Sequence, residues 1–133
     1  MMRVIVNGVP RQEPPPVAVN FAASGSLSAA NMAGNVIGNV GQTGDVAVTL
    51  APAFQGGHFT VALGVAVAKY FRLIPATGDT IALDGSTTGA NKYVGIASVT
   101  KYAEIRFCAV QTGAATWEWS AVTVLGTFAQ EAA

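Results

Sequence analysis

A chain of 133 residues, with seven basic and seven acidic side chains cancelling to zero and only 11% charged residues, holds one small domain. It lacks the surplus of Lys and Arg that an electrostatic nucleic-acid binder needs to displace counterions, so nucleic acid is not an expected partner. With 51% hydrophobic residues it can bury a core without staples, and a neutral surface this poor in charge favours association. The first element is a short β run, Arg3-Val4-Ile5-Val6, followed by the turn pair Asn7-Gly8, then Arg11 and the tract Pro14-Pro15-Pro16. Consecutive prolines favour a stiff, extended polyproline II spacer, so residues 1–16 read as an arm docked on another chain, or else as a frayed terminus or a small edge hairpin over Asn7-Gly8. The start carries no sustained apolar run of the signal-peptide kind, which predicts synthesis in a cytoplasm without export.

Residues 17–133 read as a β domain. No charged residue stands between Glu13 and Asp45, and burial against neighbouring subunits accounts for that stretch better than disorder, which goes with low hydrophobicity and high charge. Within it, residues 26–34 predict a short helix, with Ser26 or Ser28 as N-cap and Gly34 as the stop. Strands then follow one another, separated by Gly, Pro, Asp and Asn. Residues 45–50 place Val46, Val48 and Leu50 on one face, and Phe59, Val61, Leu63, Val65 and Val67 keep a period of two, with Gly64 marking a bulge or a close approach. Residues 70–74, 80–83 (closed by Asp84-Gly85), 93–99, 103–110, 116–120 and 122–128 complete about eight to ten strands. The expected fold is all-β: a small single-domain β-sandwich or barrel, jelly-roll-like, with an extended N-terminal arm. Residues 46–68 are the most hydrophobic uncharged stretch, but Pro52, Gly56-Gly57 and His58 interrupt them, so no membrane span is expected.

The inventory of chemistry is thin. Cys108 is the only cysteine and lies in the apolar run 105–110, which reads as a core position. His58 is the only histidine and reads as a hydrogen-bonded edge residue at a strand start; no G-x-S-x-G elbow accompanies it. One His and one Cys do not make a zinc site, and Asp79 and Asp84 stand beside glycines in turns rather than in a calcium-binding series. Gly41-Gln42-Thr43-Gly44 lacks the Lys of a phosphate loop. A glycosidase would need two carboxylates across a cleft, but Asp79, Asp84, Glu104 and Glu118 fit turn and surface roles. Neither catalysis nor a cofactor nor a metal is expected. Trp117 and Trp119 share one strand face, opposite Glu118, and read as core or interface anchors; with Tyr70, Phe71, Tyr93 and Tyr102 they would form a sugar platform only if exposed together.

The order of segments from Phe21 onward resembles small structural proteins of tailed bacteriophages that decorate capsids or form head fibres. The residues that carry the resemblance are Leu27-Ser28-Ala29-Ala30-Asn31, Val46-Ala47-Val48-Thr49-Leu50-Ala51-Pro52-Ala53, Phe71-Arg72-Leu73-Ile74-Pro75, and Gly78-Asp79-Thr80-Ile81-Ala82-Leu83-Asp84-Gly85. They continue in Ala90-Asn91-Lys92-Tyr93, Gly113-Ala114-Ala115-Thr116-Trp117-Glu118-Trp119 and Gly126-Thr127-Phe128. The resemblance implies a compact β domain, commonly a homotrimer, on the outer surface of the virion. There it binds the major capsid protein at junctions between coat subunits and involves no membrane. On that expectation the arm residues Arg3, Val4, Ile5, Val6, Arg11, Pro14, Pro15 and Pro16 contact the coat protein. The competing expectation is an adhesion module of a tail or head fibre that binds a host glycan through tyrosines and tryptophans.

Overall fold

The computed structural model describes residues 18–133, together with strands β1 (Arg3–Val6) and β2 (Val9–Gln12). β1 and β2 pair antiparallel, with Arg3 opposite Gln12 and Val6 opposite Val9. Pro14, Pro15 and Pro16, and with them the spacer reading, lie outside the described residues.

From residue 18 the chain runs β3 (Ala18–Asn20), β4 (Gly25–Ser26), β5 (Ala33–Gly38), β6 (Val46–Thr49), β7 (His58–Leu63) and β8 (Phe71–Ile74). It continues through β9 (Ile81–Leu83), β10 (Val94–Ile96), β11 (Ala103–Gly113), β12 (Thr116–Leu125) and β13 (Ala129–Gln130). One sheet has the order β3-β5-β7-β11-β12-β9 and the other β13-β10-β8-β6-β4. Their inward residues form one apolar cluster, with Ile37, Phe59, Val61, Ile105, Phe107 and Trp119 from the first facing Val46, Val48, Phe71, Leu73, Val94 and Ile96 from the second. The domain is therefore all-β, two mixed sheets over a shared core.

From β3 to β11 each successive strand belongs to the opposite sheet. Although β8 and β10, also two strands apart, pair antiparallel, each of the neighbours β3/β5, β5/β7, β4/β6 and β6/β8 has between its members a strand of the other sheet that serves as the crossover a parallel pair requires. This is why these four pairs are parallel although no helix connects them. The long hairpin β11–β12 stays in one sheet and is antiparallel.

Several boundaries differ from those predicted. The helix over 26–34 is instead a single 3₁₀ turn, Ala30–Met32, between two strands; Ser28 Oγ accepts the Asn31 N–H, but the following residues gain more by pairing with β7. Of the uncharged stretch, Leu27, Met32, Ile37, Asn39 and Gln42 are buried within its own fold, while Ala22, Ala23, Ser24, Ser28, Ala29 and Ala30 are exposed. β7 ends before Gly64, where a Cβ would meet nothing, so that glycine marks neither a bulge nor a close approach. The break expected near residue 121 is absent, because Ala121 packs in the core opposite Phe107 and β12 runs through it. Cys108 is exposed, not core: within the apolar run Ile105 and Phe107 take the inward positions and alternation turns Cys108 out.

Candidate functional site

The described residues present two outward faces with different chemistry. On the six-stranded sheet the rows are set by register: Thr60, Arg106 and Val122 in one, His58, Cys108 and Ser120 in the next, then Val110 beside Glu118. A register shift places Leu125 opposite Glu104, on the same face. Val110, Val122, Val124 and Leu125 are 45%, 54%, 47% and 55% exposed, an apolar stripe along one hairpin. Beside it Arg106 Nε donates to Glu104 Oε2 at 2.9 Å.

His58 lies not at a sheet edge, as expected, but on a central strand between β5 and β11, and its Nδ1 is 3.0 Å from the Gly56 carbonyl oxygen. Among the described residues no three of His, Cys, Asp and Glu come together as a metal-ligand group. Asp79 Oδ2 accepts the Ala53 N–H at 3.0 Å, and Asp84 accepts both the N–H and the hydroxyl of Thr123, at 2.8 and 3.0 Å. Asp79 thus ties one loop to another, and Asp84 fastens its turn to β12.

The two tryptophans part company. Trp119 is fully buried, edge-on to Phe54 and Phe59, and its Nε1 donates to the Ala51 carbonyl at 3.2 Å. Trp117 is half-buried in an open cleft of about 350 Å³ with Asp79, Thr80, Thr112, Thr116 and Glu118. Of the other aromatic residues, Phe71 is in the core and Tyr102 is exposed with Lys101 Nζ 5.1 Å from its ring.

Tyr70 and Tyr93 are brought together by a residue that the sequence reading quoted only as part of a strand, Arg72. On β8, Phe71 and Leu73 point inward and Arg72 outward. Its guanidinium carbon lies 3.9 Å from the Tyr70 ring centre and 4.8 Å from that of Tyr93. The alternation Tyr70-x-Arg72 was the one available signal; the second ring comes from the residue just before β10, which only the fold brings alongside β8. Buried Gln42 and its neighbours hold this corner: Gln42 Nε2 and the Val46 N–H donate to the Tyr70 carbonyl, and the Tyr70 N–H donates to Asp45 Oδ1.

The arm residues Arg3, Val4, Ile5, Val6 and Arg11 fall on β1 and β2, with Arg3 opposite Gln12 and Val4 opposite Arg11. Comparison of the chain with protein-family models, curated proteins and solved structures gave no match.

Proposed function

We propose that this protein is a structural protein of a tailed-bacteriophage virion, decorating the outer capsid surface as a homotrimer and binding the major capsid protein at junctions between coat subunits. The observation that carries the reading is the apolar stripe Val110, Val122, Val124 and Leu125, exposed on the long hairpin of a charge-poor β-sandwich. Apolar residues beside a charged pair, Glu104–Arg106, have the mixed composition of a docking surface. The segment resemblance gives the partner its identity, and the arm residues 1–16 supply a second attachment. A specific contact of this kind buries about 1,200–2,000 Å², and many copies on one shell multiply it. The function is mechanical: packed genome strains the shell, and each bridge adds an interface that must break before the shell opens.

Immunogold electron microscopy of the source virion tests this. Dense label over the whole head is expected. Label confined to tail or fibre tips, or none on the particle, overturns it.

A further inference from the structure

We propose that the outward face of the five-stranded sheet is a binding site for a carboxylated sugar, with Arg72 as the receptor of the carboxylate. The inference goes beyond a decoration role and is independent of it, since it rests on the sheet opposite the apolar stripe.

The site is built in three steps. Gly95 stands directly opposite Arg72 in the β8–β10 pairing. A Cβ there would lie 2.8 Å from the Phe71 carbonyl oxygen and 3.0 Å from Arg72 Cγ, so glycine alone lets the arginine stem lie across β10. Reaching across, the guanidinium enters the space between Tyr70 and Tyr93 and is held by both rings. The backbone of Tyr93 is fixed in turn, its carbonyl accepting the Glu131 N–H at 2.8 Å and its N–H donating to Glu131 Oε1 at 3.3 Å.

The clamped cation is incomplete. Arg72 Nε is sealed from the surface without an acceptor, and no carboxylate of the described residues lies within 4.0 Å of the guanidinium. Burial of a charge ordinarily comes with a partner, as Glu104 provides for the more exposed Arg106. The terminal nitrogens of Arg72 make no hydrogen bond within the described structure, yet they are not sealed. A planar fork, held still with its edge open, matches the two oxygens of a carboxylate.

The surroundings favour a sugar over an acidic protein side chain. Beside the tyrosines is a groove of about 270 Å³ whose walls include Tyr70, Tyr93, Gly95, Ala97, Thr127 and Ala129; Arg72 does not line it, but the two tyrosines that hold its guanidinium do. That volume is close to the lower limit for small-ligand sites and suits a single ring, whereas protein contacts are broad. The hydroxyls of Tyr70, Tyr93 and Thr127 have no partner among the described residues. Gln130 stands opposite the core residue Val94 and gives its amide N–H groups to the Ile81 and Ser86 carbonyls, so its side chain belongs to the interior rather than to the groove. The polar set thus comprises the Arg72 cation for one carboxylate, with the hydroxyls of Tyr70, Tyr93 and Thr127 for sugar hydroxyls. A phosphorylated sugar, carrying more charge, would call for a second cation.

The test is a glycan array probed with the isolated full-length protein, spanning neutral hexoses, N-acetylhexosamines, uronic acids, sialic acids and sugar phosphates. Binding confined to the carboxylated sugars is expected. Arg72→Gln should weaken it tenfold or more, and Arg72→Lys, which keeps charge and stem but not the fork, should do nearly as much. Thermal melting of Arg72→Lys should stay within a few degrees of the parent. Several results would overturn the proposal: no binding on the array, equal binding to neutral sugars, preference for the sugar phosphates, or binding indifferent to both substitutions. Loss of virion attachment in Arg72→Gln without any sugar binding would assign Arg72 to a protein contact and would equally overturn it. The immunogold result bears on the decoration role alone, so either idea can fail without the other.

Discussion

Trp119 is the best single measure of what the core contributes. Its ring meets Phe54 and Phe59 edge-on at 5.9 and 5.4 Å, and its indole N–H is satisfied by Ala51. Trp119→Ala is expected to cost about 3–5 kcal/mol through lost transfer and the cavity left behind. The check is the denaturation midpoint, which should fall steeply. Cys108 makes the opposite prediction. As an exposed thiol it should react with a thiol reagent in the native protein as readily as after unfolding, and Cys108→Ser should change stability by less than about 0.5 kcal/mol. Protection of the native thiol would restore the core assignment that the apolar run around it favoured. Both positions lie on strands read correctly as strands. The difference is parity alone, since a one-residue offset decides whether a side chain meets core or solvent.

At the scale of elements, the turn Asp84-Gly85 was legible because both residues tolerate positive φ, and they adopt 49° and 87°. Its second task was not legible. Asp84 also accepts two hydrogen bonds from Thr123 on β12, a strand that meets β9 only after the chain has returned. Asp84→Ala should therefore cost about 0.5–1.5 kcal/mol, since water reaches the Thr123 N–H at this exposed position, while Asp84→Asn, which keeps one acceptor oxygen, should lose less. Urea melts with an unchanged slope would attribute the difference to stability rather than to a changed unfolded state. The 3₁₀ turn in place of the expected helix has the same origin. Ser28, Asn31 and Gly34 are sound local signals for a helix end, but β7 offered backbone partners that a helix of this length could not match.

For the whole molecule, the two sheets present unlike faces, one with an apolar stripe and one with a stacked arginine. The proposed coat contact predicts that Val122→Glu leaves the melting temperature nearly unchanged, because Val122 is 54% exposed, yet abolishes binding to heads stripped of this protein. Removal of residues 1–16 should likewise leave a folded oligomer that no longer binds heads. Equal binding by the truncated form, in a sedimentation assay, would remove the arm from the mechanism and leave the stripe to carry it.

Strand positions, turns and core side chains such as Val46, Val48, Phe59, Val61 and Leu63 were determined by the sequence itself, because a period of two and the backbone preferences of Gly, Asp and Asn act within a few residues. The sheet to which each strand belongs was decided only by the tertiary structure. Alternation is the same whichever sheet a strand joins, so nothing local reveals that β3 to β11 cross between layers at every step. That crossing makes the parallel pairs and carries Tyr93 to Tyr70 and Arg72, residues in or just before two separate strands whose shared surface exists only once both are hydrogen-bonded side by side.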